Sequence, residues 1–314
     1  MEVSKSKIVF LGTPEFAMPI LQALIGNNYK LALVITQPDK PAGRKQELIP
    51  PPIKVLAQKN NLAIAQPNNK KELAAIFEQN KFDLAVLAAY GMIIPDEILT
   101  KPKFGFLNIH PSLLPKYRGS SPIQSAILTG DKKTGVSIIQ LAKKIDAGPI
   151  VAQAETEIEP QDNVEILSQK LAELGGQLLI ETIPGYLKGE VKLRPQNETE
   201  ATFTKMIERE DGLINWQKTA SQIERQFRAF YPWPGVFTHL AGKRLKIANL
   251  GVLEGDFKPN LGPGTVFLGP NQTLAVKCGQ GAVELKAVQL EGKKELLGKE
   301  FLRGQKELIG KILE

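Results

Sequence analysis

Hydrophobic positions in the first half of the chain follow two spacings in turn. Short apolar runs predict strands, and the stretches between them carry apolar residues at helical spacing, a pattern typical of βαβ units around a mostly parallel sheet. The strands are predicted at Lys7–Leu11, Leu31–Thr36, Leu84–Ala88, Phe106–Ile109, Val136–Leu141 and Ile150–Glu157. The helices are predicted at Ala17–Ile25, Pro52–Asn60, Lys71–Gln79, Pro122–Thr129 and Val164–Lys188. We expect Pro184 to break or kink the last helix, because proline has no backbone N–H to donate.

The hydrophobic periodicity stops after residue 189, and residues 190–206 are predicted to form an exposed linker around Pro195–Glu200. Beyond it, a helix at Thr219–Ala229 precedes short strands separated by glycine and proline turns. These strands are predicted at Gly235–Leu240, Arg244–Val252, Gly264–Leu268, Thr273–Lys277 and Ala282–Leu290. The pattern predicts an α/β domain at residues 1–189, Rossmann-like with helices on both faces of its sheet, and a small OB-like β-barrel at 207–314.

Composition supports this organisation and narrows the setting. A chain of 314 residues that is 42% hydrophobic can bury two cores. The net charge of +7 favours an anionic partner, and nucleic acid, a polyanionic cofactor and an acidic substrate all remain open. A single cysteine, Cys278, excludes an internal disulfide and is typical of the reducing cytoplasm. The apolar run Ile8–Leu11 is too short for a signal peptide, and we expect no membrane span.

Candidate chemistry lies where the strand at Phe106–Ile109 ends. Open α/β sheets bind their ligands at the carboxyl ends of strands. Asn108 and His110 are two residues apart, so an extended chain points both side chains to one face. The histidine is also held next to Pro111, which restricts the backbone. The two side chains are therefore candidates to converge on one reacting atom.

Asp146 lies in a turn, Asp146-Ala147-Gly148-Pro149, between two predicted strands. By itself this sequence is typical of an ordinary turn. Combined with Asn108 and His110, it supplies a carboxylate, an imidazole and a carboxamide. An amine that attacks a formyl carbon must lose a proton to a base, and the carbonyl oxygen becomes an oxyanion. Asn108 is suited to donate to that oxygen, and His110 and Asp146 are suited to act as a base and the acid that orients it.

The segment Asn108–Pro115 followed by Asp146–Pro149 resembles the folate-dependent formyltransferase superfamily, over roughly residues 7–185. The resemblance implies that Asn108, His110 and Asp146 are catalytic. It also implies that Ser112, Leu113, Leu114 and Pro115 help to bind the folate, that 10-formyltetrahydrofolate is the formyl donor, and that no metal is needed.

Three features narrow the acceptor within this superfamily. The first loop, Gly12–Phe16, lacks the glycine series that would hold a phosphate, and its form resembles the methionyl-tRNA formyltransferase branch. The second is the long loop Gln37–Pro52, where Lys40, Arg44 and Lys45 are candidates for phosphate contacts and Gly43 allows the loop to reorganise. In that branch this loop enters the acceptor arm of tRNA, although here Lys45 is followed by Gln46 and the acidic Glu47. The third is the C-terminal domain, which resembles that of the same branch. Its Phe227–Thr238 segment is typical of residues packed in a core or an interface.

The resemblance therefore implies transfer of a formyl group to the α-amine of initiator methionyl-tRNA, with residues 207–314 as a tRNA-binding domain of a cytoplasmic monomer. The alternatives are a formyltransferase for a nucleotide-linked amino sugar, a hydrolase of 10-formyltetrahydrofolate, and a catalytically silent tRNA- or folate-binding protein. The sequence leaves open how initiator tRNA is distinguished from elongator tRNA. It also leaves open whether His110 or Asp146 accepts the proton.

Overall fold

The computed structural model of the chain describes residues 6–43, 46–253, 255, 257–258 and 260–314, without the side chains of Ala42 and Lys306. Within these residues the chain forms two compact units. The first consists of Met1–Pro122, Lys132–Ile158 and Ile166–Lys205. The second consists of Ile123–Asp131, Glu159–Glu165 and Met206–Glu314.

A mostly parallel sheet forms the centre of the first unit, as the sequence predicts. The strands of this unit are β1 (Ile8–Gly12), β2 (Leu31–Ile35), β3 (Lys40–Ala42), β4 (Glu47–Ile49), β5 (Ile64–Ala65), β6 (Leu84–Ala88), β7 (Phe106–His110), β8 (Arg118–Gly119), β9 (Lys133–Gln140), β10 (Ile150–Glu157) and β11 (Phe203–Thr204). The sheet order is β10-β9-β7-β6-β1-β2-β5, in which β9 is antiparallel to both of its neighbours. Every residue of β1 is buried, because a central parallel strand is covered on both faces and needs a continuous apolar run.

Helices occur where the periodicity predicts them, with one addition near the C-terminus. They are α1 (Ala17–Gly26), α2 (Pro52–Lys59), α3 (Lys70–Gln79), α4 (Pro122–Thr129), α5 (Val164–Lys188), α6 (Ala220–Ala229) and the added α7 (Gly298–Gly304). Local sequence fixes some of their starts: the side chain of Asn69 accepts the first free N–H groups of α3, and Thr219 forms a capping box with Gln222 at α6. None of the helices in the described part of the chain combines the length and the apolar character that a bilayer crossing requires.

Helix α5 continues through Pro184 to Lys188, so the break expected at this proline does not occur. Leu179 and Ile183, five residues and one residue before the proline, are fully buried. Burial of this face stabilises the helix against the lost hydrogen bond and the clash of the proline ring, which together cost about 3 kcal/mol in a helix interior.

The second unit contains a curled antiparallel sheet, which confirms the predicted small β domain. Its strands are β12 (Val236–Leu240), β13 (Lys243–Leu253), β14 (Val266–Leu268), β15 (Leu274–Lys277), β16 (Ala282–Leu290) and β17 (Glu295–Leu297). They are ordered β12-β13-β16-β15-β14, and β17 pairs with β16. The register between β13 and β16 shifts around Asn249, and such irregularities increase the local twist.

Two short strand pairs lie where the sequence predicts loops. Strands β3 and β4 form a hairpin inside the long loop Gln37–Pro52. Strand β11, from the segment predicted as an exposed linker, pairs in parallel with β8. Arg194, from the same segment, forms a backbone bridge with Ile150. The segment is therefore hydrogen-bonded to the first unit at several points, which hydrophobic periodicity does not reveal.

Candidate active site

Asn108 and His110 lie at the carboxyl end of β7, in the interior of the sheet. β7 is paired with β6 on one side and β9 on the other, which fixes its backbone from both edges. Both residues are buried, with 6% of the surface of Asn108 and 5% of that of His110 exposed. Charges and dipoles interact more strongly in such a site than in water, because the effective dielectric is lower.

Asp146 reaches the same place from the turn between β9 and β10. Its backbone adopts a left-handed conformation with φ 49°, which aspartate tolerates better than most residues because its short polar side chain hydrogen-bonds locally. Asp146 Oδ1 accepts a hydrogen bond from Asn108 Nδ2 at 3.3 Å. Oδ2 accepts one from the backbone N–H of Gly119 at 2.9 Å. The structure therefore brings together the three side chains that the sequence singles out.

The backbone contact of His110 places a hydrogen on one of its two ring nitrogens. Nε2 lies 2.9 Å from the backbone oxygen of Tyr117. A carbonyl oxygen only accepts, so Nε2 carries a hydrogen, and the lone pair of the neutral ring is on Nδ1. Nδ1 lies 3.6 Å from Asp146 Oδ2, beyond direct hydrogen-bond distance. A neutral His110 thus offers a proton acceptor beside a carboxylate that would stabilise the imidazolium once it forms.

Asn108 has donor capacity for a further acceptor. A carboxamide nitrogen carries two hydrogens, and the contact with Asp146 uses one of them. The arrangement as a whole can stabilise an oxygen that gains negative charge and accept a proton next to it, which are the two requirements of acyl transfer to an amine.

Tyr117 and Gly119 also contribute to this site, although the sequence does not single them out. The backbone oxygen of Tyr117 accepts from His110 Nε2, and the backbone N–H of Gly119 donates to Asp146 Oδ2. Both act through the backbone, so the identity of their side chains carries no signal. Only their place in the basic run Lys116–Gly119, directly after the predicted folate stretch, points to the site.

The predicted folate stretch is divided between buried and accessible residues. Ser112 is buried and its hydroxyl donates to the backbone oxygen of Lys116 at 2.6 Å. Leu114 is buried in a small apolar cluster with Ile139 and Ile150. Leu113 and Pro115 are half-buried. The side chains of Ser112 and Leu114 therefore shape this stretch from inside, and a ligand would meet Leu113 and Pro115.

The loop predicted to contact tRNA projects as the β3–β4 hairpin. Lys40 and Gly43 are exposed, and Arg44 and Lys45 lie outside the described residues. The base of the hairpin is anchored: the carboxylate of Asp39 accepts from Lys54 Nζ at 2.7 and 2.8 Å and from Gln66 Nε2 at 2.8 Å. These hydrogen bonds, that of Gln66 foremost, hold the pKa of Asp39 below its usual value.

Within the described part of the chain, no three His, Cys, Asp or Glu side chains are grouped so that they could hold a metal ion.

Both units match families of known proteins. Residues 6–183 match the family described as Formyl transferase, and residues 206–306 match Formyl transferase, C-terminal domain. The methionyl-tRNA formyltransferase of Dehalococcoides mccartyi is 42% identical over 315 residues, covering 98% of this chain and 98% of its own length. That of Caldicellulosiruptor saccharolyticus is 44% identical over 311 residues, covering 98% of this chain and 99% of its own.

Solved structures share the fold at lower identity. An N-formyltransferase from Helicobacter canadensis, in complex with folinic acid and dTDP-3-aminofucose, matches with a TM-score of 0.68 at 19% identity, covering 89% of this chain and 98% of its own. HypX from Aquifex aeolicus matches with a TM-score of 0.66 at 18% identity over 95% of this chain, which spans about half (49%) of that longer protein. At these identities the likeness is one of fold.

Proposed function

The chain belongs to the formyl transferase family, and from this premise we propose that it transfers the formyl group of 10-formyltetrahydrofolate to the α-amine of initiator methionyl-tRNA, as a cytoplasmic monomer. The observation that carries the chemistry is the convergence of Asn108, His110 and Asp146 at the end of β7. Similarity to methionyl-tRNA formyltransferases along both units supports the acceptor.

The three side chains divide the reaction between them. The amine nitrogen forms a bond to the formyl carbon, and the bond from that carbon to the folate nitrogen breaks. His110 accepts the amine proton at Nδ1, because Nε2 is already committed as a donor to Tyr117. Asp146 stabilises the resulting imidazolium across 3.6 Å. Asn108 donates its second amide hydrogen to the formyl oxygen as negative charge develops there. The proton that His110 holds then returns to the folate nitrogen, so the two products balance the two substrates.

The donor set fits a folate that carries a formyl group. A neutral carboxamide donor and a histidine lone pair lie beside a single carboxylate in a nearly buried site. That combination suits an uncharged formyl group, whose oxygen can accept a hydrogen bond from the carboxamide. Leu113 and Pro115, which follow His110 closely in the chain, are half-buried and offer apolar surface to a ligand.

The β3–β4 hairpin supports the choice of a large anionic acceptor. It is exposed and carries Lys40, and in the sequence Arg44 and Lys45 lie between its two strands. We assign the tRNA contact to Lys40 and Gly43 together with Arg44 and Lys45. Such contacts with phosphates position the acceptor end without reading its sequence.

A labelled-formyl assay tests the proposal. The purified protein is mixed with 10-formyltetrahydrofolate labelled in the formyl group and with charged initiator methionyl-tRNA, free methionine, a nucleotide-linked amino sugar, or no acceptor. We expect label to appear on the charged tRNA alone. Release of labelled formate at the same rate without acceptor would make the protein a hydrolase, and labelling of the amino sugar would replace the acceptor.

A further inference from the structure

The turn that carries Asp146 is held by a residue of the segment predicted as a linker. Gln196 Nε2 donates to the backbone oxygens of Asp146 and Gly148, at 2.7 Å in each case. These are the carbonyls at the two ends of the turn. A single amide thus fixes the backbone on either side of Ala147.

Arg118 fixes Gln196 in turn. Gln196 Oε1 accepts from Arg118 Nε at 3.1 Å and from Nη2 at 2.9 Å. A guanidinium only donates, so the oxygen of the amide must face Arg118 and the nitrogen must face the turn. Arg118 is 1% exposed, and its outer edge forms two hydrogen bonds to Glu198, at 2.8 and 3.1 Å. The donor aimed at the turn is therefore pre-oriented by a buried cation.

Arg118 also lies between two residues that contact the site, Tyr117 and Gly119. Before Arg118 in the chain, the backbone oxygen of Tyr117 accepts from His110. After it, the backbone N–H of Gly119 donates to Asp146. Strand β8 is held in place by its pairing with β11. The segment Tyr117–Gly119 thus forms hydrogen bonds to the imidazole and to the carboxylate, and its Arg118 is linked to the turn through Gln196.

We propose that Gln196 and Arg118 are positioning residues for Asp146. Asp146 has a left-handed conformation, with φ 49°, which aspartate tolerates better than most residues but which still costs free energy unless the surroundings stabilise it. The two hydrogen bonds from Gln196 to the carbonyls of Asp146 and Gly148 hold the backbone in it. This inference rests on the proposed function, because it concerns the residue that stabilises His110 during formyl transfer.

Gln196→Glu removes the two hydrogen bonds that Gln196 donates to the turn. The carboxylate keeps the size of the side chain and its contact with Arg118, but it turns an oxygen towards the two carbonyls. We expect kcat for transfer to charged tRNA to fall roughly 10- to 100-fold, the range for a reacting group displaced by up to about 1 Å. We expect KM for both substrates to change little, and a lower melting temperature, because a carboxylate oxygen then faces two carbonyl oxygens. Gln22→Glu, the same change at an exposed position of α1, is the matched control and should behave as wild type.

A double variant separates positioning from general disturbance. If Gln196 acts through Asp146, Gln196→Glu should slow an Asp146→Asn enzyme much less than it slows the wild type. Gln196→Ala, which adds no charge, repeats the test if the first variant folds poorly. The positioning role would be overturned if Gln196→Glu slowed the wild type and the Asp146→Asn enzyme equally, or if it changed only KM. It would also be overturned if folded Gln196→Glu and Gln196→Ala both kept the wild-type kcat. The wild-type protein is assayed alongside: if it transfers no formyl group to charged tRNA, the proposed function fails instead.

Discussion

At the scale of single residues, hydrogen-bond capacity supports the roles that we propose. The Tyr117 carbonyl commits Nε2 of His110 as a donor, so only Nδ1 can take a proton. Asn108 shares one amide hydrogen with Asp146 and keeps the other. The sequence leaves open whether His110 or Asp146 accepts the amine proton. In our proposal Nδ1 of His110 accepts it, and the carboxylate of Asp146 stabilises the resulting imidazolium.

His110→Gln tests this assignment. The glutamine amide can replace Nε2 as the donor to Tyr117, but it offers no base at the position of Nδ1. We expect the variant to fold with an unchanged melting temperature and to lose about 100- to 10 000-fold in kcat, the usual contribution of general base catalysis. A rate near that of the wild type in the formyl-transfer assay would remove His110 as the base.

Asn108→Ala should lose roughly 100- to 1000-fold in kcat, because one oxyanion donor contributes about that much. Steady-state kinetics with both substrates measure the loss, and KM for folate should change less than kcat. Asn80→Ala is the matched control: that side chain donates to the backbone oxygen of Ile76 on the exposed end of α3. If both variants lose kcat equally, the oxyanion role of Asn108 is wrong.

At the scale of elements, the site depends on the turn between β9 and β10. A Cβ atom at Gly148 would collide with the backbone oxygen of Gln140 at the end of β9. The turn can therefore approach β9 closely only because residue 148 is glycine. This close approach, together with Gln196, sets the direction in which Asp146 points.

We expect Gly148→Ala to reduce the free energy of unfolding by about 1–3 kcal/mol, as overpacking does, and to reduce kcat further by displacing Asp146. Chemical denaturation and steady-state kinetics measure the two effects. Gly26→Ala is the control, since a Cβ at this last residue of α1 has no heavy atom within 4 Å. Full activity of Gly148→Ala would contradict the prediction, because it would show that the position of Asp146 does not depend on glycine at residue 148.

The β3–β4 hairpin is a second element whose placement can be tested. Asp39→Leu removes the acceptor that Lys54 and Gln66 share at its base. We expect KM for charged tRNA to rise severalfold while KM for folate stays constant, because the hairpin loses its fixed orientation. Glu78→Gln, which breaks an exposed ion pair with Lys101, should change neither constant. Equal increases in both KM values would contradict a role confined to tRNA.

At the scale of the whole molecule, the two units each have a core and each match a formyl transferase family. The net charge of +7 agrees with a polyanionic acceptor, since a positive field speeds encounter with nucleic acid. The single cysteine lies in the core of the second unit. Cys278 is fully buried, and burial raises the pKa of its thiol to about 12.

This raised pKa predicts how stability depends on pH. The thiol ionises from its usual value of 9.0 in the unfolded chain but only near 12 in the folded one, so the folded state binds more protons between these values and its stability falls as pH rises. Between pH 8 and pH 10 we expect Cys278 to cost the wild type on the order of 1 kcal/mol in unfolding free energy. Denaturation of Cys278→Ala at both pH values should show a smaller decrease, and parallel curves would contradict the prediction.

Much of the site could be predicted from sequence because its signals are local. The spacing of Asn108 and His110 at a strand end places both side chains on one face, and the structure brings them to Asp146, 38 residues from Asn108. The remainder carries no local signal. Gly119 and Tyr117 act through backbone atoms, and Gln196 contacts a residue 50 positions away from a stretch without hydrophobic periodicity.

Local sequence is enough to specify the elements, because apolar spacing and capping residues act within a few positions of each other. It accounts for the buried run of β1, the capped starts of α3 and α6, and the strand that presents Asn108 and His110. Three features needed the folded chain: α5 continues through Pro184, a hairpin occupies the long loop, and Arg118 and Gln196 hold the turn of Asp146. These features depend on packing and on hydrogen bonds between distant segments, whose partners are chosen when the chain folds.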